Sequence, residues 1–238
     1  MTDFKQQLIS PRSMTGYRFV EGYAVDPVFS FIYGGMSEDG KAQILSEKTD
    51  NVYTMEENIG SNGEDGKDVL KYHGTATPPV IMGWTNTFTY KGITLKAMIT
   101  GKFGHKFRRP TFSYADGFDK NYHKDLKDIM AGNARQMGLP EIPAEYTDYY
   151  YRYSWYVPYL NTLVENASHI RLREVYLGYD LPKKICEKMK LGSIRIYSQI
   201  RNLGLIWTAN KQNIDPDYIS GKDIKPEASY TFGLNINF

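Results

Sequence analysis

The residues of this chain that could do chemistry are few. Asp215-Pro216-Asp217, with Asp223 nearby, offers carboxylate oxygens that a hard cation such as calcium takes as ligands. The proline and the lack of a twelve-residue loop spacing leave Asp215 and Asp217 weak candidates, and a solvated turn is the default reading. His73, His105, His123 and His169 lie far apart, with no His-x-x-x-His pair, so the sequence carries no zinc or metalloprotease pattern. There is no Gly-x-Ser-x-Gly elbow either. Cys186 stands alone among Lys183, Lys184 and Lys188, which reads as an incidental surface thiol and excludes an internal disulfide. No enzyme and no cofactor is expected.

A binding chemistry is easier to find. Tyr149, Tyr150, Tyr151, Tyr153, Trp155, Tyr156 and Tyr159 cluster in one stretch, and flat rings of this kind can stack on sugar faces. Tyr149, Tyr150, Tyr151, Trp155 and Trp207 are therefore the candidate substrate-binding aromatics. The competing reading is a girdle where a loop enters a membrane strand, because Trp and Tyr concentrate at bilayer interfaces.

The elements that would position these rings read as strands. Tyr230 to Phe238 places Tyr230, Phe232, Leu234, Ile236 and Phe238 on one face and Thr231, Gly233, Asn235 and Asn237 on the other. Soluble edge strands are blunted by charge or shortness, and this one keeps a wholly apolar face up to a final aromatic. That is the pattern of a strand with lipid outside and a polar lumen inside, and it makes Phe238 a candidate assembly signal. Ser193 to Leu203 repeats the pattern, with Ile194, Ile196 and Ile200 against Arg195, Tyr197, Gln199 and Arg201. His169 to Tyr179 changes parity between Leu172 and Val175, which a β-bulge would absorb. Trp84 to Ile99 reads as a hairpin about Lys91-Gly92, pairing Tyr90 with Ile93, Phe88 with Leu95 and Trp84 with Ile99. A sixth strand is expected within Val28 to Tyr33.

The connections alternate in length: long (Gly34 to Pro78), a turn (Lys91-Gly92), very long (His105 to Ser168), compact (Leu181 to Gly192) and long (Trp207 to Ser229). Short periplasmic turns and long external loops give outer-membrane barrels this asymmetry. Leu126, Ile129, Met130 and Met137 ahead of Gly138 predict a short loop helix. Bulk properties agree. The 238 residues include 20 Tyr and 11 Phe, and no apolar run reaches the eighteen or so residues of a helical span. Mean hydropathy is −0.50, which a barrel tolerates because lipid-facing residues fill only alternate positions. A net charge of +2, with Lys and Arg scattered, argues against nucleic acid.

The segment Ala167-Ser168-His169-Ile170-Arg171-Leu172-Arg173-Glu174-Val175-Tyr176-Leu177-Gly178-Tyr179-Asp180-Leu181-Pro182 resembles the AS-x-L-R-L-(K/R)-N-x-x-L-G-Y-x-L-P stretch of the SusC/RagA transporters, TonB-dependent outer-membrane proteins of Bacteroidetes. Gly22-Tyr23-Ala24-Val25, the Asn86 to Gly92 hairpin, and Leu191 to Leu203 followed by the terminal strand match in the same order. Glu174 and Arg201-Asn202 stand where the family often has Asn and Gln-Asn. The resemblance implies an all-β, antiparallel transmembrane barrel of about twenty-two strands, of which this chain would supply the last six with long external loops. It also implies residues 1–238 as the C-terminal part of one barrel domain, with signal peptide, plug and TonB-engaging segment upstream. The implied activity is import of glycans or oligopeptides with a SusD-like surface lipoprotein as partner, TonB as the energy source and the C-terminus at the periplasmic side. Two rivals use the same residues: a soluble all-β carbohydrate-binding module and a small autonomous barrel, for which six strands fall short of the usual eight.

Overall fold

A computed structural model describes residues 19–57, 69–112, 123–142, 152–219 and 224–238. Its contacts divide the chain into two compact units, one from the residues up to Thr77 together with His105–Asn166, the other from Pro78–Gly104 and Ala167–Phe238.

The second unit is a five-stranded antiparallel sheet of β5 (Val80–Tyr90), β6 (Ile93–Phe103), β9 (His169–Asp180), β10 (Ser193–Thr208) and β11 (Ser229–Asn237), in the order β11-β10-β9-β6-β5. Lys91 and Gly92 both take positive φ, 47° and 84°, the two-residue turn whose twist matches the strands it joins. A Cβ on Gly92 would sit 2.8 Å from the Asp180 carbonyl oxygen, so that turn has no room for a side chain. The pairs Tyr90↔Ile93, Phe88↔Leu95 and Trp84↔Ile99 form as the sequence predicts. So does the bulge: Met98 faces Glu174 and Ile99 faces Leu172, leaving Arg173 as the extra residue. On the other side β10 answers with Asn202 and Leu203 between its Arg201↔Glu174 and Gly204↔Leu172 pairs, and Asn202 and Gly204 have positive φ.

Both short connections lie at one end of this sheet. The Asp180 amide donates to the Gly92 carbonyl (2.8 Å) and the Gly192 amide to the Asn237 carbonyl (2.7 Å), which brings the Lys91-Gly92 turn, the 181–192 link and the chain end together. The long connections leave from the opposite end, so the sorting by length read from the sequence is also a sorting by position. The link contains the helix Lys183–Lys188, and Cys186 on it is 2 % exposed with its thiol toward the Leu181 carbonyl. The expected surface thiol is therefore a buried one, because the helix turns that face onto the start of β10, where Ile194 is also buried.

The first unit corrects the expected strand count of the wall. The strand predicted within Val28 to Tyr33 exists as β1 (Pro27–Met36), but it is central in a separate sheet, β3-β2-β1-β4, with β2 (Ala42–Leu45), β3 (Val52–Thr54) and β4 (Leu70–Thr75). Residues 27–31 of β1 are buried, Val28 and Ser30 as well as Phe29 and Phe31, so the strand is covered on both faces. The cover comes from Phe112, Ile129, Leu139, Tyr153, Tyr156, Val157, Leu160 and Leu163, all from the 105–166 stretch. Burial pushes the His73 imidazole down to about 4, aided by Lys71, Arg108 and Lys106, and the ring is 2.5 Å from the Ser30 hydroxyl. A short pair, β7 (Lys106–Arg108) with β8 (Val164–Asn166), closes the unit. The predicted loop helix is present as Lys124–Asp128 and Ala134–Met137 with a π-type turn between them, kinked at Gly132 and ended by Gly138 in the left-handed conformation.

Candidate functional site

The five-stranded sheet presents two unlike faces, and strand parity assigns each side chain to one of them. Across the sheet, Phe88, Leu95, Leu177, Ser198 and Phe232 occupy one row, and Tyr90, Ile93, Tyr179, Ile196 and Leu234 the next. The large apolar side chains of these rows are exposed: Phe232 is 79 % exposed and Tyr90 70 %. Leaving a single large apolar side chain in water forgoes roughly 1.5–3 kcal/mol, and here whole rows are left outside. An exposed apolar surface of this extent marks a membrane or a partner.

The opposite face is polar, and its charges are paired. Glu174 sits between Lys96 (3.2 Å) and Arg201 (3.3 Å), and Arg195 grips Asp180 through two hydrogen bonds of 2.6 and 2.7 Å. Two tyrosines cover this face: the rings of Tyr176 and Tyr197 stack 5.7 Å apart. They lie over glycines, since a Cβ on Gly233 would fall 2.1 Å from Tyr197 and one on Gly178 2.8 Å from Tyr176. Glycine is required there because the neighbouring ring occupies the space a side chain would use.

At the end from which the long connections leave, the carboxylates of Asp215 and Asp217 meet cations contributed by the strands. Arg171, 3 % exposed, hydrogen-bonds Asp215 and lies 3.2 Å from Asp217, with its guanidinium 5.4 Å from the Tyr218 ring centroid. Lys102 reaches Asp217 at 2.7 Å, Arg173 at 3.7 Å, and Lys225 reaches Asp215 at 3.5 Å. His169 sets Nε2 3.4 Å from Asp217 and Nδ1 2.8 Å from the Ala167 carbonyl oxygen. Asn210 braces the same loop, donating to the Ile214 carbonyl and accepting from its amide, both at 2.8 Å. These carboxylates serve as counter-ions for the strand ends, and among the described residues no group of three or more His, Cys, Asp or Glu could hold a metal.

The His169 imidazole beside Asp217, together with the Lys102 ammonium, holds that carboxyl well below the usual carboxylate range, against the opposing pull of burial. A depressed carboxyl contributes stability that is complete above its unfolded value, near pH 4, and is lost as pH falls through the lower folded value. Hydrogen-exchange protection at Ile214 and Tyr218, normalised for the intrinsic rate, is therefore expected to stay constant from pH 8 to 5 and to fall only below about pH 4. A fall already under way at pH 6 would contradict it.

Of the candidate aromatics, Trp155 belongs to the first unit and Trp207 to the second. Trp207 stands near the end of β10 on the apolar face, 46 % exposed, in register with Ile170. Trp155 packs against the core of the first unit, where Tyr153 and Tyr156 are buried, the Tyr153 hydroxyl accepting from the Ala42 amide and the Tyr156 hydroxyl donating to the Glu57 carbonyl. Tyr149, Tyr150 and Tyr151 lie outside the described residues. Phe238 ends the apolar row, 97 % exposed. The reading from sequence missed Lys102, Arg171 and Arg173. The sequence marked only that Lys102 and Arg171 fall on the polar parity of their strands; that the Asp-Pro-Asp of the last long connection ends beside them depends on the fold.

No family model matches the chain. A curated relative, TonB-dependent receptor P3 of Formosa agariphila, is 23 % identical over 238 residues, covering 92 % of this chain and 22 % of the relative. Among solved structures, the RagAB peptide importer in its open-open state aligns with a TM-score of 0.61 at 20 % identity, covering 91 % of this chain and 23 % of that one. Its closed-closed state gives 0.58 at 19 %, with 94 % and 25 % covered. The chain spans about a fifth of the length of the curated relative it matches. The resemblance read from the sequence is thus borne out: this chain is similar to one portion of a TonB-dependent receptor, and these relatives are a receptor and an importer rather than enzymes.

Proposed function

We propose that this chain forms part of the barrel wall and the external surface of a TonB-dependent outer-membrane importer of the SusC/RagA type. The observation that carries the reading is the division of the five-stranded sheet into one face whose large apolar side chains are exposed and an opposite face of paired charges. That distribution suits lipid outside and a polar lumen inside. Five strands cannot close a barrel, so β5 and β11 would each continue into the remainder of one large barrel domain, of about twenty-two strands. The first unit, to which the two longest connections contribute together with β1, would then stand outside the cell. Phe238, ending the lipid-facing row, would act as an assembly signal.

The cargo class is the same as in the resemblance, glycans or oligopeptides, and the likeness to a peptide importer favours oligopeptides. A SusD-like surface lipoprotein would be the partner, as the paired name of the RagAB structures suggests, and TonB would act through the part of the barrel protein not contained in this chain. With the short connections and the C-terminus in the periplasm, sidedness follows. In the full-length receptor carrying Cys186→Ser, single cysteines at Asp39 and Asn133 are expected to react with a membrane-impermeant maleimide on intact cells, and cysteines at Lys91 and Lys184 only after the outer membrane is opened. Labelling of Lys91 or Lys184 sites on intact cells would overturn the assignment.

A further inference from the structure

The sheet end that carries the two short connections combines three features. On the apolar face is an open groove of about 530 Å³, lined by Ile93, Leu177, Tyr179, Ile196, Ser198 and Phe232, with the backbone of Gly178 and Tyr197 as its floor. The groove arises from one residue: Ser198 stands between Leu177 and Phe232 in the row, so a small side chain replaces the large one its neighbours lead one to expect. The groove borders the end that carries the short connections, because the pair Ile93↔Tyr179 that lines it immediately follows the Lys91-Gly92 turn.

The second feature is charge. Lys91 lies 5.2 Å from the centroid of the Tyr90 ring, and Lys183, Lys184, Lys188 and Lys190 are exposed in the neighbouring link, with Glu187 the acidic residue among them. The third is the helix Lys183–Lys188 and its end, which expose Ile185 and Met189 four residues apart, and so on one side, among those lysines. Apolar side chains flanked by lysines are the composition of a segment lying in a lipid headgroup layer.

We propose that the groove holds an acyl chain of an anionic phospholipid, whose phosphate is met by the collar of Lys91, Lys183, Lys184 and Lys188. The inference rests on the wall reading above and adds to it a specific lipid in the leaflet at this end. The groove supplies apolar contact for any acyl chain, while the lysines distinguish the headgroup. Each lysine close to an anionic surface changes affinity about fivefold, so two engaged lysines give a preference above tenfold over a zwitterionic lipid.

The test uses the full-length receptor reconstituted in nanodiscs of phosphatidylcholine containing one part in five of phosphatidylglycerol, with retained lipids counted by native mass spectrometry after extraction. The wild type is expected to retain phosphatidylglycerol at least tenfold over its share. Replacing Lys91, Lys183, Lys184 and Lys188 by Gln is expected to bring that ratio near one. Ser198→Phe, which fills the groove, is expected to remove the retained lipid, and Ser198→Leu serves in its place if the larger ring prevents folding. Equal retention of both lipids by the wild type, or an unchanged ratio in the Gln variant, would overturn the proposal while leaving the wall reading intact. A receptor that does not insert into bilayers at all would overturn the wall reading itself.

Discussion

Phe232→Arg is expected to cost about 2–4 kcal/mol of folded stability in the membrane, whereas Thr231→Arg, one residue earlier, is expected to cost less than about 1 kcal/mol. The contrast comes from parity alone. Phe232 lies in the apolar row beside Ser198 and Leu177, about midway along β11, where a guanidinium would face hydrocarbon. Thr231 pairs with Gln199 on the polar face, in the row that holds Tyr176 and Lys96, where a cation can be hydrated. Folding in lipid vesicles, followed by the shift in gel mobility between boiled and unboiled protein, measures both. Equal losses would mean that the sheet does not separate lipid from water.

Phe31→Ala is expected to cost about 3–5 kcal/mol, and the loss should be confined to the first unit. Phe31 is 1 % exposed, meets the Tyr156 ring edge-on at 5.1 Å and bridges to Leu160. Were β1 a wall strand, as its sequence alone suggests, the same substitution would weaken barrel assembly. The expected outcome is faster proteolysis of the external region with the gel-mobility shift of the barrel unchanged. Phe31→Leu, which keeps most of the volume, is expected to recover most of the resistance.

The contrast between these two sites shows where sequence was informative. The five-stranded sheet was legible because its signals are local: period two, a two-residue turn and a one-residue slip are each read from a short run of neighbouring residues. Even the bulge at Arg173 announced itself, since Leu172 and Val175 cannot share a face without one. The first unit was not legible in the same way. Pro27, Val28, Phe29, Ser30 and Phe31 are buried whatever their parity, so alternation carried no information about which sheet they join. Their cover comes from residues more than eighty positions away. Separation along the chain also hid the role of Asp215 and Asp217: in isolation an Asp-Pro-Asp turn is solvated, and only the fold shows that Arg171 and Lys102 end beside it. Tyr153 and Tyr156 resembled a sugar platform for the reason that makes them good core residues, a broad ring with one polar atom that finds a backbone partner.

The way the first unit is assembled also bears on how such a protein can change. On β1 the Tyr33 amide donates to the Asn161 side-chain oxygen and the Tyr33 hydroxyl to the Leu139 carbonyl, so the stretch before the β5–β6 hairpin and the stretch after it complete each other. Neither insertion is then a unit of inheritance by itself. A recombination event that imports only the 105–166 stretch from a relative would bring partners shaped for a different β1. New external surface is expected to arrive with both stretches exchanged together, or by substitutions at exposed turns such as Ser37–Gly40, which leave the shared interior untouched.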